Sequence, residues 1–171
     1  TYLFINDEHG DMALAVSDME IYRHLTPQAL AQRHKLLDGS QVVVLDANIP
    51  EESIVWLAEN CPAPLFADPV STAKAAKLKP VLGKLHTLKP NRLEAELLSG
   101  VPITDGESLR RAADALLETG LRRVFISLGA EGVFAADHNG RVQLPCLPGE
   151  MVNATGCGDA FMAAIAWAYL Q

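Results

Sequence analysis

The chain has 171 residues, of which 49% are apolar and 20% charged, and its net charge is −7. This is ordinary composition for one globular domain with a real core. The negative balance argues against a nucleic-acid polymer or an anionic membrane surface as partner, although a local anion pocket built from backbone N–H groups needs no net positive charge.

In chain order, Thr1–Ile5 and Met12–Val16 are apolar runs separated by Asp7-Glu-His-Gly-Asp11, the pattern of a β-hairpin. Thr26 followed by Pro27 predicts an N-capped helix over Pro27–Leu37, ending near Gly39. Val42–Leu45 is a continuous apolar run of the kind buried on both faces of a parallel sheet, and Glu51–Glu59 reads as the helix after it. Pro64–Ala67 is a second such strand, with a helix from about Thr72 to Leu82. Leu85–Leu88 is a third, followed by a helix that runs to Leu98 and is closed by Gly100. Glu107–Glu118 is amphipathic, with Leu109, Ala112, Ala113, Leu116 and Leu117 on one face. Val124–Leu128 is a fourth buried strand; Val133–Ala136 and Arg141–Leu144 form a hairpin across Asp137-His-Asn-Gly140, with Asn-Gly as the turn signal. A long apolar helix closes the chain.

This alternation predicts an α/β fold with a mostly parallel sheet covered by helices on both faces, in one domain over residues 1–171. Ligands of such sheets bind at the carboxyl ends of the strands. Polar groups gather there: Asp46 and Asn48, Asp68 and Ser71, Asn91 and Glu94, then Ser127, Gly129 and Gly132.

The candidate site centres on Asn153-Ala-Thr-Gly-Cys-Gly-Asp159, directly before the last helix. Glycines and a helix start make an anion site. A carboxylate there weakens anion binding unless Asp159 has its own task, such as taking a proton from a hydroxyl that attacks phosphate. A plain glycine turn with an acidic first helical turn explains the stretch equally well. Asn91 and Glu94, one helical turn apart, can hold a water-clad Mg²⁺ beside phosphates, or simply cap their helix as Asn91 at the N-cap and Glu94 three residues on. Ser127, Gly129 and Gly132 let backbone lie against a nucleotide, or form a tight turn. Asp68 to Ser71 with Lys74 can contact phosphate or substrate; an N-capped helix with a solvated lysine is the preferred reading. Lys89 can attract phosphate, but an exposed lysine is more simply solvated.

The three cysteines, Cys61, Cys146 and Cys157, are far apart and show no zinc-ligand spacing, which suits a reduced, cytoplasmic setting. The five histidines form no spaced cluster, and Cys157 reads as a small filler between glycines. No signal peptide is evident, and the last helix is too short for a membrane span. The chain starts in a strand-like run and stops inside a helix, as a piece of a longer protein would.

Three motifs in order, Lys89-Pro-Asn-Arg-Leu-Glu-Ala-Glu96, Ser127-Leu-Gly-x-x-Gly132 and Thr155-Gly-Cys-Gly-Asp159-Ala-Phe, resemble the ribokinase-like (PfkB) carbohydrate and nucleoside kinases. Asp68-Pro-Val-Ser71 with Lys74, and Gly10-Asp-Met-x-x-Ala-Val-x-Asp-Met19, resemble the pseudouridine kinase branch. The resemblance implies the central and C-terminal part of a ribokinase-like domain. It also implies an N-terminal sugar-binding segment with a glycine pair and lid strands, for which the sequence offers no counterpart. The implied activity is transfer of the γ-phosphoryl of ATP to a ribosyl 5′-hydroxyl, with pseudouridine as favoured acceptor and the isolated chain weakly active or inactive. Another sugar or nucleoside acceptor, and a non-catalytic nucleotide-binding fragment, are the alternatives.

By the same resemblance Asp159 is the base, and Gly156, Cys157 and Gly158 form the anion hole. Asn91 and Glu94 organise Mg²⁺ and phosphates, with Lys89 nearby; Ser127, Gly129 and Gly132 contact ATP. Asn153 and Thr155 fall where members hold a monovalent cation such as K⁺. Asparagine at Asn153 replaces the family's usual aspartate and weakens that last expectation; cysteine at Cys157 replaces the usual alanine and leaves the backbone N–H unchanged. A small-molecule acceptor is the implied partner, and a homodimer is left open.

Overall fold

Two sheets result from this pattern, and the first stands apart. A computed structural model describes residues 2–6, 12–149 and 155–171. Strands β1 (Tyr2–Asn6) and β2 (Met12–Ser17) pair antiparallel as a separate ribbon. The predicted hairpin is therefore present, and its turn lies outside the described residues. Leu3, Ile5, Leu14 and Val16 are exposed on the ribbon.

The main sheet runs in sequence order: β3 (Val43–Asp46), β4 (Leu65–Asp68), β5 (Thr87–Leu88), β6 (Arg123–Ser127), β7 (Val133–Asp137) and β8 (Gly140–Leu144). Strands β3 to β6 are parallel; β7 and β8 turn back antiparallel. The hairpin loop is His138 and Asn139, with Asp137 opposite Gly140. The turn thus sits one residue earlier than Asn-Gly suggests. Asp137 Oδ1 accepts the N–H groups of Asn139 and Gly140 and fixes that choice.

Sequential parallel strands with right-handed crossovers send every connection over the same face. The helices in chain order are α1 (Pro27–Ala31), α2 (His34–Asp38), α3 (Glu51–Asn60), α4 (Thr72–Ala75), α5 (Arg92–Ser99), α6 (Gly106–Glu118) and α7 (Cys157–Tyr169). Leu45, Ala67, Leu88, Val124 and Ile126 face Ile54, Leu78, Leu98, Leu109 and Leu116 in the main core. Each such leucine contributes roughly 1.5–3 kcal/mol by burial. The five apolar residues predicted for one face of α6 are all buried.

The opposite face carries a smaller cluster of Phe66, Met162 and Ile165, flanked by Val42, Phe125 and Phe161. Helices cover both faces, unequally: among the described residues only α7 serves the second. Its far end is anchored by Tyr169, edge-on to both Phe66 and His86, which stack on each other at 5.3 Å. Burial, then the charges of Arg123 and Arg122, hold the His86 imidazole below its ordinary range, so the stacked ring is favoured neutral.

Two helices differ from expectation. Pro27–Leu37 is not one helix but α1 and α2, broken at Gln32 and Arg33. Arg33 donates to the Ala29 carbonyl through its side chain, and its backbone leaves the helical region at φ −111, ψ 16. Such side-chain bonds compete with the helical ladder. The helix from Thr72 stays α-helical only to Ala75 and continues as a 3₁₀ helix over Ala76–Lys84. Pro80 lies inside it, where it lacks an N–H and its ring crowds the carbonyl four residues back.

Candidate functional site

The parallel strands end level with one another. Asp46 is the register partner of Asp68, and Lys89 directly follows Leu88, the partner of Ala67. Asn91 bridges to Ser127 beside them. These strand ends open into a cavity of about 1170 Å³ that also takes in Asn48, Ser71, Lys74, Glu94, Gly158 and Asp159. The sequence-predicted clusters are therefore brought together on one edge.

Adjacent carboxylates on neighbouring strands repel unless each is neutralised. Asp46 accepts the backbone N–H of Asn48 at 2.9 Å and its side-chain Nδ2 at 2.7 Å. Asn48 Oδ1 in turn accepts from Lys74 Nζ at 2.5 Å. Asp68 pairs through Oδ2 with Lys89 Nζ at 2.9 Å and accepts the Val70 N–H through Oδ1 at 2.9 Å. That turn holds Val70 at φ +67, an uncommon place for a β-branched residue.

Two expectations are corrected here. Lys89 is not a solvated surface lysine; it is only 5% exposed. The segment Asp68–Ser71 is not a side-chain-capped helix start, since Ser71 sits at the N-cap with no side-chain cap bond, and Lys74 is half-buried on Asn48. The Asp68–Lys89 pair went unpredicted. Its signal was present, as an aspartate and a lysine at the ends of successive parallel strands.

The capping reading of Asn91 and Glu94 holds in full. Asn91 Oδ1 accepts the Glu94 N–H at 2.9 Å, and Glu94 Oε2 accepts the Asn91 N–H at 2.8 Å. Glu94 is buried. Burial pushes its carboxyl above the usual glutamate range; the Asn91 N–H opposes this, Asp68 adds to it and Lys89 opposes it. Helix α5 ends at Gly100 with φ +74, as the sequence implied.

The last helix starts differently. Gly156 occupies the N-cap at φ +82 with no side-chain cap bond, and Cys157, Gly158 and Asp159 form the exposed first turn. First-turn N–H groups precede the helix's own acceptors. A Cβ added to Gly158 would stand 3.4 Å from Lys89 Nζ, so the lysine lies directly beneath this turn. Thr155 is exposed just before it, and Asn153 lies outside the described residues.

Gly129 and Gly132 follow β6 at φ +60 and +90 and do not line the cavity. A Cβ on Gly132 would overlap the Leu144 carbonyl, whereas Gly129 has open space. Packing of the hairpin therefore accounts for Gly132.

Mg²⁺ is commonly held by one or two carboxylates together with substrate phosphates. Among the described residues no group of three or more His, Cys, Asp or Glu could hold a metal by itself. Glu94, a buried carboxylate on the cavity wall, fits the shared arrangement. Among the described residues no helix is long and apolar enough to cross a membrane.

Comparison with known proteins gives this geometry a family. The model of the pfkB family carbohydrate kinases matches residues 1–171. Pseudouridine kinase of Escherichia coli K12 is 39% identical over 168 residues, which cover 97% of this chain and 54% of that protein. A putative sugar kinase from Clostridium perfringens is 35% identical and superposes with a TM-score of 0.84, covering 98% of this chain and 54% of its own. Ribokinase of Arabidopsis thaliana, solved with ribose and ATP, shares the fold at 23% identity and a TM-score of 0.69, over 81% of this chain and 46% of that one. The chain spans about half the length of the curated relatives it matches. It belongs to the pfkB family of carbohydrate kinases.

Proposed function

We propose that this chain carries the phosphoryl-transfer machinery of an ATP-dependent sugar or nucleoside kinase acting on a ribosyl 5′-hydroxyl, with pseudouridine as the acceptor. The observation that carries the reading is the start of α7: a glycine-flanked first turn over a buried lysine, with Asp159 exposed at the cavity. The acceptor assignment draws support from the pseudouridine kinase relative and from the Asp68–Ser71 segment and Lys74 on the cavity wall.

In this reading Asp159 takes the proton of the acceptor hydroxyl, whose oxygen attacks the γ-phosphorus as ADP leaves. N–H groups of the Gly156–Asp159 turn face the phosphoryl oxygens and stabilise the charge that spreads over them. Glu94 and Asn91, rigid through their mutual hydrogen bonds, would hold Mg²⁺ and orient the phosphates. The metal, when bound with nucleotide, supplies positive charge at the phosphates. Ser127 and the backbone at Gly129 border the nucleotide; Thr155, together with Asn153, is assigned to a monovalent cation. The enzyme is placed in the cytoplasm.

A screen of the complete protein tests this, with ATP and a panel of pseudouridine, uridine, adenosine, ribose and deoxyribose. Formation of pseudouridine 5′-phosphate with the highest kcat/KM is the expected result. Preference for a free sugar would overturn the acceptor, and no phosphorylation of any member would overturn the kinase reading.

A further inference from the structure

We infer that Asp68 is a positioning residue for phosphoryl transfer, holding the Lys89 ammonium beneath the first turn of α7; the inference rests on the kinase reading above. The geometry is unusual for a pair that only stabilises the fold. Lys89 is almost wholly buried, and buried ion pairs seldom stabilise more than well-packed apolar replacements, because both charges lose water. The cation also lies under the amino end of a helix, where the backbone already presents partial positive charge. Two positive features converge on one point of the cavity wall. Asp68 offsets the lysine from one side, and a phosphoryl group is a ligand that both positive features would favour.

Asp68 is placed to fix the arrangement. One oxygen holds Lys89 and the other holds the Val70 N–H. Its carboxylate is thus tied on both sides, and Lys89 has little freedom to swing. Asp68 itself need not touch the transferred group. It acts through the lysine, whose charge backs the N–H groups of Gly158 and Asp159 from below.

The test uses Asp68→Asn, Lys89→Met and the double variant in the complete protein, with kcat, KM for ATP and thermal midpoint measured for each. Asp68→Asn keeps an acceptor for Val70 but loses the charge. It should lower kcat about tenfold or more while leaving KM for ATP unchanged or lower, since a negative charge near the phosphates has gone. Lys89→Met should lower kcat comparably and raise KM for ATP. The double variant leaves no buried charge unpaired, so it should recover stability but not turnover, even if Asp68→Asn alone fails to fold. Recovery of kcat along with stability in the double variant would overturn the inference, as would a folded Asp68→Asn with kcat within twofold of the parent. If the unmodified protein phosphorylates nothing, the kinase reading fails first, and the two failures are thereby separated.

Discussion

Two helices begin on the same cavity, and they begin in opposite ways. At α5 the side chains of Asn91 and Glu94 satisfy each other's backbone N–H groups, and the turn is closed upon itself. At α7 a left-handed glycine takes the N-cap position, where it has no side chain to bond the turn. A helix start closed by its own side chains is a rigid platform, while a glycine N-cap lets backbone come close to a ligand. The lysine between them belongs with α7, because its Nζ lies below Gly158. In the proposed kinase reading the two motifs, similar on paper as polar residues opening a helix, serve different purposes: α5 positions and α7 receives.

Substitutions should separate the two starts. The largest effect is expected at Asp159. Asp159→Asn should reduce turnover by about 10²–10⁴-fold while leaving ATP binding largely intact, by steady-state kinetics and calorimetry. Unchanged turnover would remove the base from α7. Next comes Gly158→Ala, which places a methyl against Lys89. Alanine is the better helix former by about 0.8–1.0 kcal/mol, so the variant should melt no lower than the parent, yet turn over about tenfold more slowly. A variant that is both less stable and fully active would mean the turn is structural, as at α5.

Asn91→Ala should differ by costing stability as well as turnover, since it opens the closed cap. A loss of about 1 kcal/mol in denaturant unfolding is expected. The smallest effect concerns Glu94, whose carboxyl burial holds above its ordinary range. Over that range the folded chain keeps a proton that the unfolded chain has released. Stability therefore falls as pH rises from the ordinary glutamate value through the raised one, and levels off above it. Glu94→Gln does not titrate and can still accept the Asn91 N–H through its carbonyl. Its stability relative to the parent should grow with rising pH across this window. A constant difference between the two proteins would show that burial of the charged form is not costly there.

How legible the site was depended on the distance over which its parts cooperate. The capping box of α5 was readable because it spans four residues. The left-handed Gly100 and the amphipathic face of α6 were readable for the same reason. The break at Gln32 and Arg33 and the 3₁₀ helix around Pro80 depart from the continuous helices that the apolar period predicts. There the apolar period continued across residues whose local bonding ends an α-helix. Gly132 reads from sequence as a tight turn or a nucleotide contact, and the Leu144 carbonyl of the neighbouring strand, which leaves no room for a Cβ, accounts for the turn. For Lys89 and Lys74 the sequence offers phosphate contact or plain solvation but no protein partner, since nothing within a few residues shows one. Asp68 lies 21 positions from Lys89, and Asn48 lies 26 from Lys74.

The sequence by itself determined the alternation of strand and helix, the parallel sheet, the polar strand ends and the glycine-flanked start of the last helix. Each follows from periodicity or from backbone rules that act over a few residues. Only the tertiary structure decided which charges meet. Parallel register sets Asp46 beside Asp68 and Lys89 beside Asp68, and the docking of α7 through Met162 and Ile165 onto Phe66 brings Gly158 over the lysine. The physical reason is that electrostatic partnership depends on separation in space, and in a parallel sheet neighbouring strand ends are tens of residues apart along the chain.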